Sequence, residues 1–133
     1  MTEGQDRSRF ERGMTKQGEM NGQASTEDEI TRRLGDLGRY VIEFAYGDIY
    51  TRTVMSERER EIGAIAVLTV LGREKQLAAH VRTALKLGMT IKEVEEVILQ
   101  TVTYAGFPTA LNAIGVVRQI QSEDAVSNGD GSE

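Results

Sequence analysis

The sequence contains no cysteine, no tryptophan, one proline and one histidine among its 133 residues. Without cysteine, the chain cannot form disulfides, thiolate nucleophiles or sulfur-ligated metal sites. Its basic residues are interspersed with acidic ones and its net charge is -5. This argues against a nucleic-acid partner, because such binding depends on clustered Lys and Arg. Any chemistry must therefore come from nitrogen and oxygen groups.

Long apolar runs are also missing from the sequence. No run approaches the roughly 18 residues that span a bilayer. The start, MTEGQDRSRFERG, lacks the apolar segment of a secretory signal. We therefore expect a soluble cytoplasmic protein with no membrane partner.

Helix-start patterns dominate what is present. A Ser or Thr followed three residues later by Glu is typical of a capping box, in which each side chain satisfies a backbone amide of the other residue. This pattern predicts helices that begin after Thr26, Ser56 and Thr90. No window alternates with a period of two. The predicted fold class is therefore all-α, with five or six helices in a bundle.

Apolar spacing describes the first two of these helices. The first carries apolar residues at helical spacing from position 26 to about Gly47. The second is apolar nearly all round from Ile62 to Leu71, which predicts a helix buried at the centre of the bundle.

Domain limits follow from composition and turn residues. Gly88 should end the helix that contains the histidine, and Pro108 suits the first turn of the last helix. We predict an N-terminal arm with a short helix over residues 1–25, a helical domain over 26–121 and a disordered acidic tail over 122–133.

The single histidine, His80, lies in the predicted helical segment REKQLAAHVRTALKLG. Histidine has the unperturbed pKa nearest neutrality, which makes it the first candidate for proton transfer. It also lies beside the apolar stripe of its helix, where a histidine with a satisfied hydrogen bond has a purely structural role. These residues alone leave both interpretations open.

Five motifs, in order over residues 9–121, resemble the carboxymuconolactone decarboxylase family, which includes the alkylhydroperoxidase-D-like proteins. They are FERG, EFAYGDIYTR, EREIGAIAVLTVLGREKQLAAHVRTAL, GMTIKEVEEVILQ and YAGFPTALNA. The resemblance implies an oligomeric helical bundle of alkylhydroperoxidase-D-like type, a trimer or hexamer of identical chains. It also implies an enzyme that needs no metal or other cofactor.

The peroxidase branch of that family uses a glutamate, a Cys-x-x-Cys pair and a histidine as a thiol relay. By spacing, the glutamate falls on Glu61 and the histidine on His80, while the cysteine positions fall on Arg73 and Gln76. Neither of these forms a thiolate, so thiol peroxidase activity is excluded. The thiol-free branch that contains 4-carboxymuconolactone decarboxylase resembles this sequence more closely.

The resemblance implies a carboxy-lyase of aromatic catabolism or of a biosynthetic side pathway. Its substrate would be a small acidic lactone, such as 4-carboxymuconolactone, or a 3-oxo acid. The catalytic residues would be His80, as the general acid, and Glu61. The substrate-binding residues would be Arg82, Tyr46, Tyr104 and Phe107, of which the arginine and the tyrosines could stabilise charge on the lactone oxygen.

Structural alternatives accompany these assignments. In a hairpin of two straight helices, Glu61 and His80 are offset by about 6 Å along the axis. This leaves direct contact open, with a water or a neighbouring subunit as the alternative link. Glu61 could equally be a first-turn acid in a solvated turn, and Arg82 a solvated cation. The alternative functions are a non-catalytic oligomeric binding or assembly module, or a related lyase or isomerase.

Overall fold

The structure is a computed structural model that describes residues 3–22 and 26–129. These residues form seven α-helices and one π-helix, and none of them lies in a β-strand, which confirms the predicted all-α class. The elements are α1 Glu3–Asn21, α2 Glu27–Leu34, α3 Asp36–Tyr40, the π-helix Val41–Ile49, α4 Glu57–Leu71, α5 Glu74–Lys86, α6 Ile91–Ala105 and α7 Phe107–Gly129. No helix in these ranges is long and apolar enough to cross a membrane.

The chain divides into two compact units, an N-terminal unit Met1–Ser56 and a C-terminal unit Glu57–Glu133. The predicted domain limits at residues 26 and 121 stay a prediction. In the tail, residues 130–133 lie outside the described ranges, but α7 continues to Gly129, although the sequence predicts disorder after residue 121. The Gln119 amide donates to Glu123 one turn later at 3.3 Å, a pairing that supports helix at this point.

In the N-terminal unit, α1 packs closely on the π-helix at two glycines. A Cβ on Gly13 would lie 2.0 Å from the Ile42 carbonyl oxygen, and one on Gly47 would lie 2.8 Å from the Arg9 carbonyl oxygen. Any side chain at either position would force the backbones apart. The buried apolar residues of this unit's core are Phe10, Ile30 and Ile42.

The helix predicted from residue 26 to about Gly47 is divided into three elements, so the predicted five or six helices become seven α-helices and a π-helix in the described ranges. Gly35 adopts a left-handed φ of 60°, and its N–H donates to the Thr31 carbonyl at 2.8 Å, which ends α2. Further along, the Tyr50 N–H donates to Ala45 five residues back, as in a π-helix. Apolar residues recur at helical spacing through both changes, so periodicity does not show the breaks.

In the C-terminal unit, α4 to α7 enclose one apolar core. The buried members of this core are Ile65, Leu77, Val81, Ala84, Met89, Val94, Val97, Ile98, Ala110, Ala113, Val117 and Ile120. The helix α4 buries one stripe with a spacing of four residues, Glu61, Ile65 and Thr69.

The prediction that α4 is buried on every side is wrong. Its residues Val67, Val70 and Leu71 are exposed. Neighbouring helices bury the stripe of Glu61, Ile65 and Thr69 and partly cover the residues beside it. Composition alone does not identify which face they cover.

Most predicted helix limits agree with the structure. Thr26 and Thr90 both form complete capping boxes, and α4 begins at the residue after Ser56. Gly88, with a φ of 95°, ends the turn after α5. The last helix carries Pro108 as its second residue, as predicted.

Candidate active site

The carboxylate of Glu61 and the imidazole of His80 contact each other directly. Glu61 Oε2 lies 2.8 Å from His80 Nδ1, which is hydrogen-bond distance. The question of a bridging water or a second subunit is therefore answered by a contact within the C-terminal unit. Although the two residues are offset by about 6 Å along a straight hairpin, their side chains cover that distance.

The two partners differ sharply in solvent exposure. Glu61 is fully buried, whereas the His80 side chain is 27% exposed. Glu61 is the fifth residue of α4 and lies one turn before Ile65 in the buried stripe. The interpretation of Glu61 as a solvated first-turn acid is therefore wrong. The acids of the first turn are Glu57 and Glu59.

The second carboxylate oxygen of Glu61, Oε1, indicates what kind of site this is. Among the described residues, Glu61 Oε1 is buried and makes no hydrogen bond. A buried carboxylate oxygen without a donor costs free energy, because it has lost its hydration. Such a group is more typical of a site that interacts with a ligand than of a purely structural ion pair.

The contact also fixes the roles of the two imidazole nitrogens. An ionised carboxylate can only accept, so with Glu61 ionised His80 Nδ1 carries a proton and donates it to Oε2. A role for Nε2 in proton exchange with a bound molecule stays a prediction. A partly exposed ring held by a buried carboxylate is suited to general acid-base chemistry.

Arg82 is directed away from this pair. It lies two residues after His80 on α5, a rotation of roughly 200° around the helix axis. Its guanidinium pairs with Glu123 of α7, and this hydrogen bond lowers the pKa of the Glu123 carboxyl. The substrate-binding role predicted for Arg82 stays a prediction, and within this unit its partner is an acid of α7.

The aromatic residues predicted to bind substrate lie in different surroundings. Tyr104 is highly exposed at the end of α6, and Phe107 is exposed in a groove between α6 and α7. Tyr46 belongs to the N-terminal unit, where its ring stacks on Tyr50 with 5.7 Å between centroids. The substrate-binding roles of these three residues stay predictions.

A cluster of charges in the N-terminal unit was not predicted from the sequence. Asp48 accepts hydrogen bonds from Arg9 and Arg12, and the bond from Arg9 in particular lowers its pKa. Glu43 is 7% exposed and lies near Arg9 and Arg39. Part of the signal was available, because the FERG and EFAYGD motifs contain Arg12, Glu43 and Asp48 close to Gly13 and Gly47.

No group of three or more His, Cys, Asp or Glu side chains gathers into a possible metal site within residues 3–22 and 26–129. For the residues described, the candidate site therefore consists of the Glu61 and His80 side chains.

Comparisons with known proteins show which family the chain is similar to. A family model described as "Carboxymuconolactone decarboxylase family" matches residues 35–119. The chain is 30% identical over 122 residues to a 4-carboxymuconolactone decarboxylase of Acinetobacter baylyi, covering 86% of this chain and 88% of that protein.

Two further relatives match shorter stretches. The chain is 26% identical over 90 residues to a nitrosuccinic acid decarboxylase of Metarhizium robertsii, covering 68% of this chain and 62% of that protein. It is 29% identical over 86 residues to an uncharacterized 15.0 kDa protein of Paracoccus denitrificans, covering 63% and 64%.

Proposed function

Because the chain belongs to the carboxymuconolactone decarboxylase family, we propose that it is a cofactor-independent carboxy-lyase whose general acid is His80. The observation that carries the proposal is the 2.8 Å contact between His80 Nδ1 and the fully buried Glu61. A decarboxylase must deliver one proton for each carbon dioxide released, and this pair can hold and deliver one.

The substrate class is a small carboxylic acid with an adjacent electron acceptor. We propose a carboxylated unsaturated lactone, with 4-carboxymuconolactone as the first candidate. The names of two relatives support this class, because both describe decarboxylases. An unsaturated lactone and a nitro group share one property, namely that each can accept the electron pair left behind when carbon dioxide departs.

The reaction balances without a redox partner. The bond between the substrate carbon and its carboxylate breaks, and its electron pair is delocalised onto the lactone oxygen. His80 Nε2 then gives its proton to the carbanionic carbon, so that a carbon–hydrogen bond replaces the broken carbon–carbon bond. The ring keeps its Nδ1 proton toward Glu61 and regains the other from solvent, which its 27% exposure permits.

Glu61 acts as a positioning residue in this scheme. Its Oε2 holds the ring orientation and selects the nitrogen that faces the substrate. Since the carboxylate is buried, solvent does not compete for this contact. A fixed ring contributes to rate by avoiding reorganisation during proton transfer.

The test is an assay of carbon dioxide release and ultraviolet absorbance against carboxylated lactones, 3-oxo acids and nitrosuccinate. We expect turnover of a carboxylated lactone and a loss of about 100-fold or more in His80→Asn. Lys75→Asn, at an exposed position of the same helix, is the matched control and should keep wild-type activity.

Two results would contradict the proposal. Full activity in His80→Asn would remove the histidine from the mechanism. No turnover by the wild type across the panel would favour the alternative, a non-catalytic assembly module on the same scaffold.

A further inference from the structure

His80 has one exposed polar neighbour on its own helix. Residues three and four positions apart lie next to each other on a helix surface. After His80, Thr83 is buried and its hydroxyl donates to a backbone carbonyl of α5, while Ala84 belongs to the core. Before it, Leu77 is buried in the core, whereas Gln76 is exposed. Of these four neighbours, Gln76 alone offers a polar group to a molecule that reaches His80 from solvent.

The direction of helical side chains brings the imidazole of His80 close to Gln76. Side chains on a helix tilt toward its N-terminus, so each one covers the surface about one turn before its own Cα. For His80, that turn contains Gln76. Because Nδ1 contacts the fully buried Glu61, a bound molecule approaches the ring from its exposed side, beside the Gln76 amide.

Arg73 extends this surface by one more turn. It directly precedes α5, and its carbonyl accepts from the Leu77 N–H at 2.9 Å, so it is in register with the helix. Arg73, Gln76 and His80 lie within roughly 60° of one another around the axis, over a length of about 10 Å. We call these three residues the α5 polar face. Arg73 and Gln76 are exposed, and neither side chain has a hydrogen bond or ion pair among the described residues.

The three side chains offer different chemistry. The guanidinium of Arg73 can bind a carboxylate through two parallel hydrogen bonds. The neutral amide of Gln76 can donate to an oxygen on which negative charge develops, and His80 supplies the proton in the proposed reaction. The first candidate substrate, 4-carboxymuconolactone, has a lactone oxygen that takes up charge and a second carboxylate that stays in the product. The α5 polar face therefore has one group for each of these needs.

We propose that Gln76 donates to the lactone carbonyl oxygen of the substrate and that Arg73 binds the carboxylate that is retained. This proposal rests on the proposed decarboxylase function and names two residues that select a lactone with a second carboxylate. Gln76 acts mainly on kcat, because the charge on the lactone oxygen develops during the reaction. Arg73 acts mainly on KM, because its carboxylate partner is charged throughout.

Steady-state kinetics on the best substrate test this division. Gln76→Leu should lower kcat by about 10-fold or more, and Arg73→Met should raise KM by about 10-fold or more with kcat near the wild-type value. The control is Lys75→Leu, at an exposed position roughly 140° around the axis from His80, which should change neither constant. Wild-type constants in both test variants, with His80→Asn inactive, would overturn this proposal and leave the proposed function intact.

Binding of a probe that is not turned over gives a second test. A saturated γ-lactone with one carboxymethyl group, titrated into ¹⁵N-labelled protein, should shift the imidazole signals of His80 and the side-chain amide signals of Gln76. Arg73→Met should weaken its binding by about 10-fold or more, and Lys75→Leu should leave the affinity unchanged.

The methyl ester of the probe isolates the carboxylate contact. We expect the ester to bind the wild type about as weakly as the acid binds Arg73→Met, and to lose nothing further in that variant. An ester that binds the wild type as well as the acid does, or an acid that leaves the signals of His80 and Gln76 unshifted, would overturn the proposal. Because the probe releases no carbon dioxide, these results are separate from those of the turnover assay.

Discussion

Glu43 of the N-terminal unit and Glu61 of the C-terminal unit are both buried on helices, and they differ in what faces the carboxylate. Glu43 lies 3.9 Å from Arg9 and 3.8 Å from Arg39, two side chains that stay charged at any ordinary pH. Glu61 faces His80 at 2.8 Å, a ring that can gain or lose a proton.

The two glutamates also differ in the surroundings of their second carboxylate oxygen. Each carboxylate oxygen of Glu43 has an arginine within ion-pair distance. Glu61 Oε1, by contrast, has no hydrogen-bond donor among the described residues. We interpret Glu43 as a carboxylate that holds a fold together, and Glu61 as one kept at a cost in stability for chemistry.

The largest effect should appear in turnover. Glu61→Gln removes the charge that orients His80, and we expect kcat to fall by about 100-fold. Glu43→Gln should leave kcat per folded molecule close to the wild-type value. Both are measured by carbon dioxide release on the best substrate of the panel. Equal decreases in kcat in the two variants would mean that the two carboxylates do not have different roles.

The second largest effect should appear in the stability of the N-terminal unit, when the packing of α1 on the π-helix is disturbed. Gly13→Ala places a Cβ 2.0 Å from the Ile42 carbonyl oxygen, and overpacking of this kind costs about 1–3 kcal/mol. Gly63→Ala is the control, since its Cβ would meet nothing within 4 Å, and it should stabilise α4 by about 0.5–1 kcal/mol. Urea denaturation measures both. A stable Gly13→Ala protein would show that α1 does not pack on the π-helix as described.

Replacing the buried glutamate of each unit with Met should change the free energy of unfolding in opposite directions. Glu43→Met leaves two arginines without their acid and should lower the free energy of unfolding by about 1–2 kcal/mol. Glu61→Met removes a buried oxygen that lacks a donor and should raise it by about 1 kcal/mol. The free energies of unfolding are compared by urea denaturation at pH 7. A loss of stability in both variants would contradict the distinction.

The smallest effect concerns Asp48. Its pKa in the folded state lies below the ordinary value of 3.8 because Arg9 and Arg12 donate to its carboxylate. A lowered folded pKa gives stability that is present above the unfolded pKa and lost as the pH falls through the folded pKa. Asp48→Asn should therefore flatten the decrease of Tm below about pH 5. An unchanged acid slope would show that the pairing contributes nothing in solution.

Sequence patterns predicted the all-α class and most helix limits, because these depend on local signals. Local residues alone determine the backbone geometry at the capping boxes of Thr26 and Thr90 and at Gly88. The division at Gly35 and the exposed face of α4 were not predicted. Both depend on which helix packs against which face, and the spacing of apolar residues does not indicate this.

The candidate site shows the same limit. The family resemblance, transferred by spacing along the chain, implied Glu61 and His80 as the catalytic pair. It did not establish their contact, because axial offset ignores the reach of side chains. The assignments of Arg82, Tyr104 and Phe107 rested on resemblance alone. In the structure, Arg82 pairs with Glu123, and Phe107 lies in the α6–α7 groove.

The central claim is that the contact with Glu61 determines which nitrogen of the neutral His80 ring carries the proton, and nitrogen NMR of the imidazole tests it most directly. Since the chain has one histidine, a sample labelled with ¹⁵N gives a single imidazole to follow with pH. We predict that the neutral ring keeps its proton on Nδ1 in the wild type and in Glu43→Gln, and loses this preference in Glu61→Gln. A neutral ring protonated on Nε2, or a spectrum that Glu61→Gln leaves unchanged, would contradict the account.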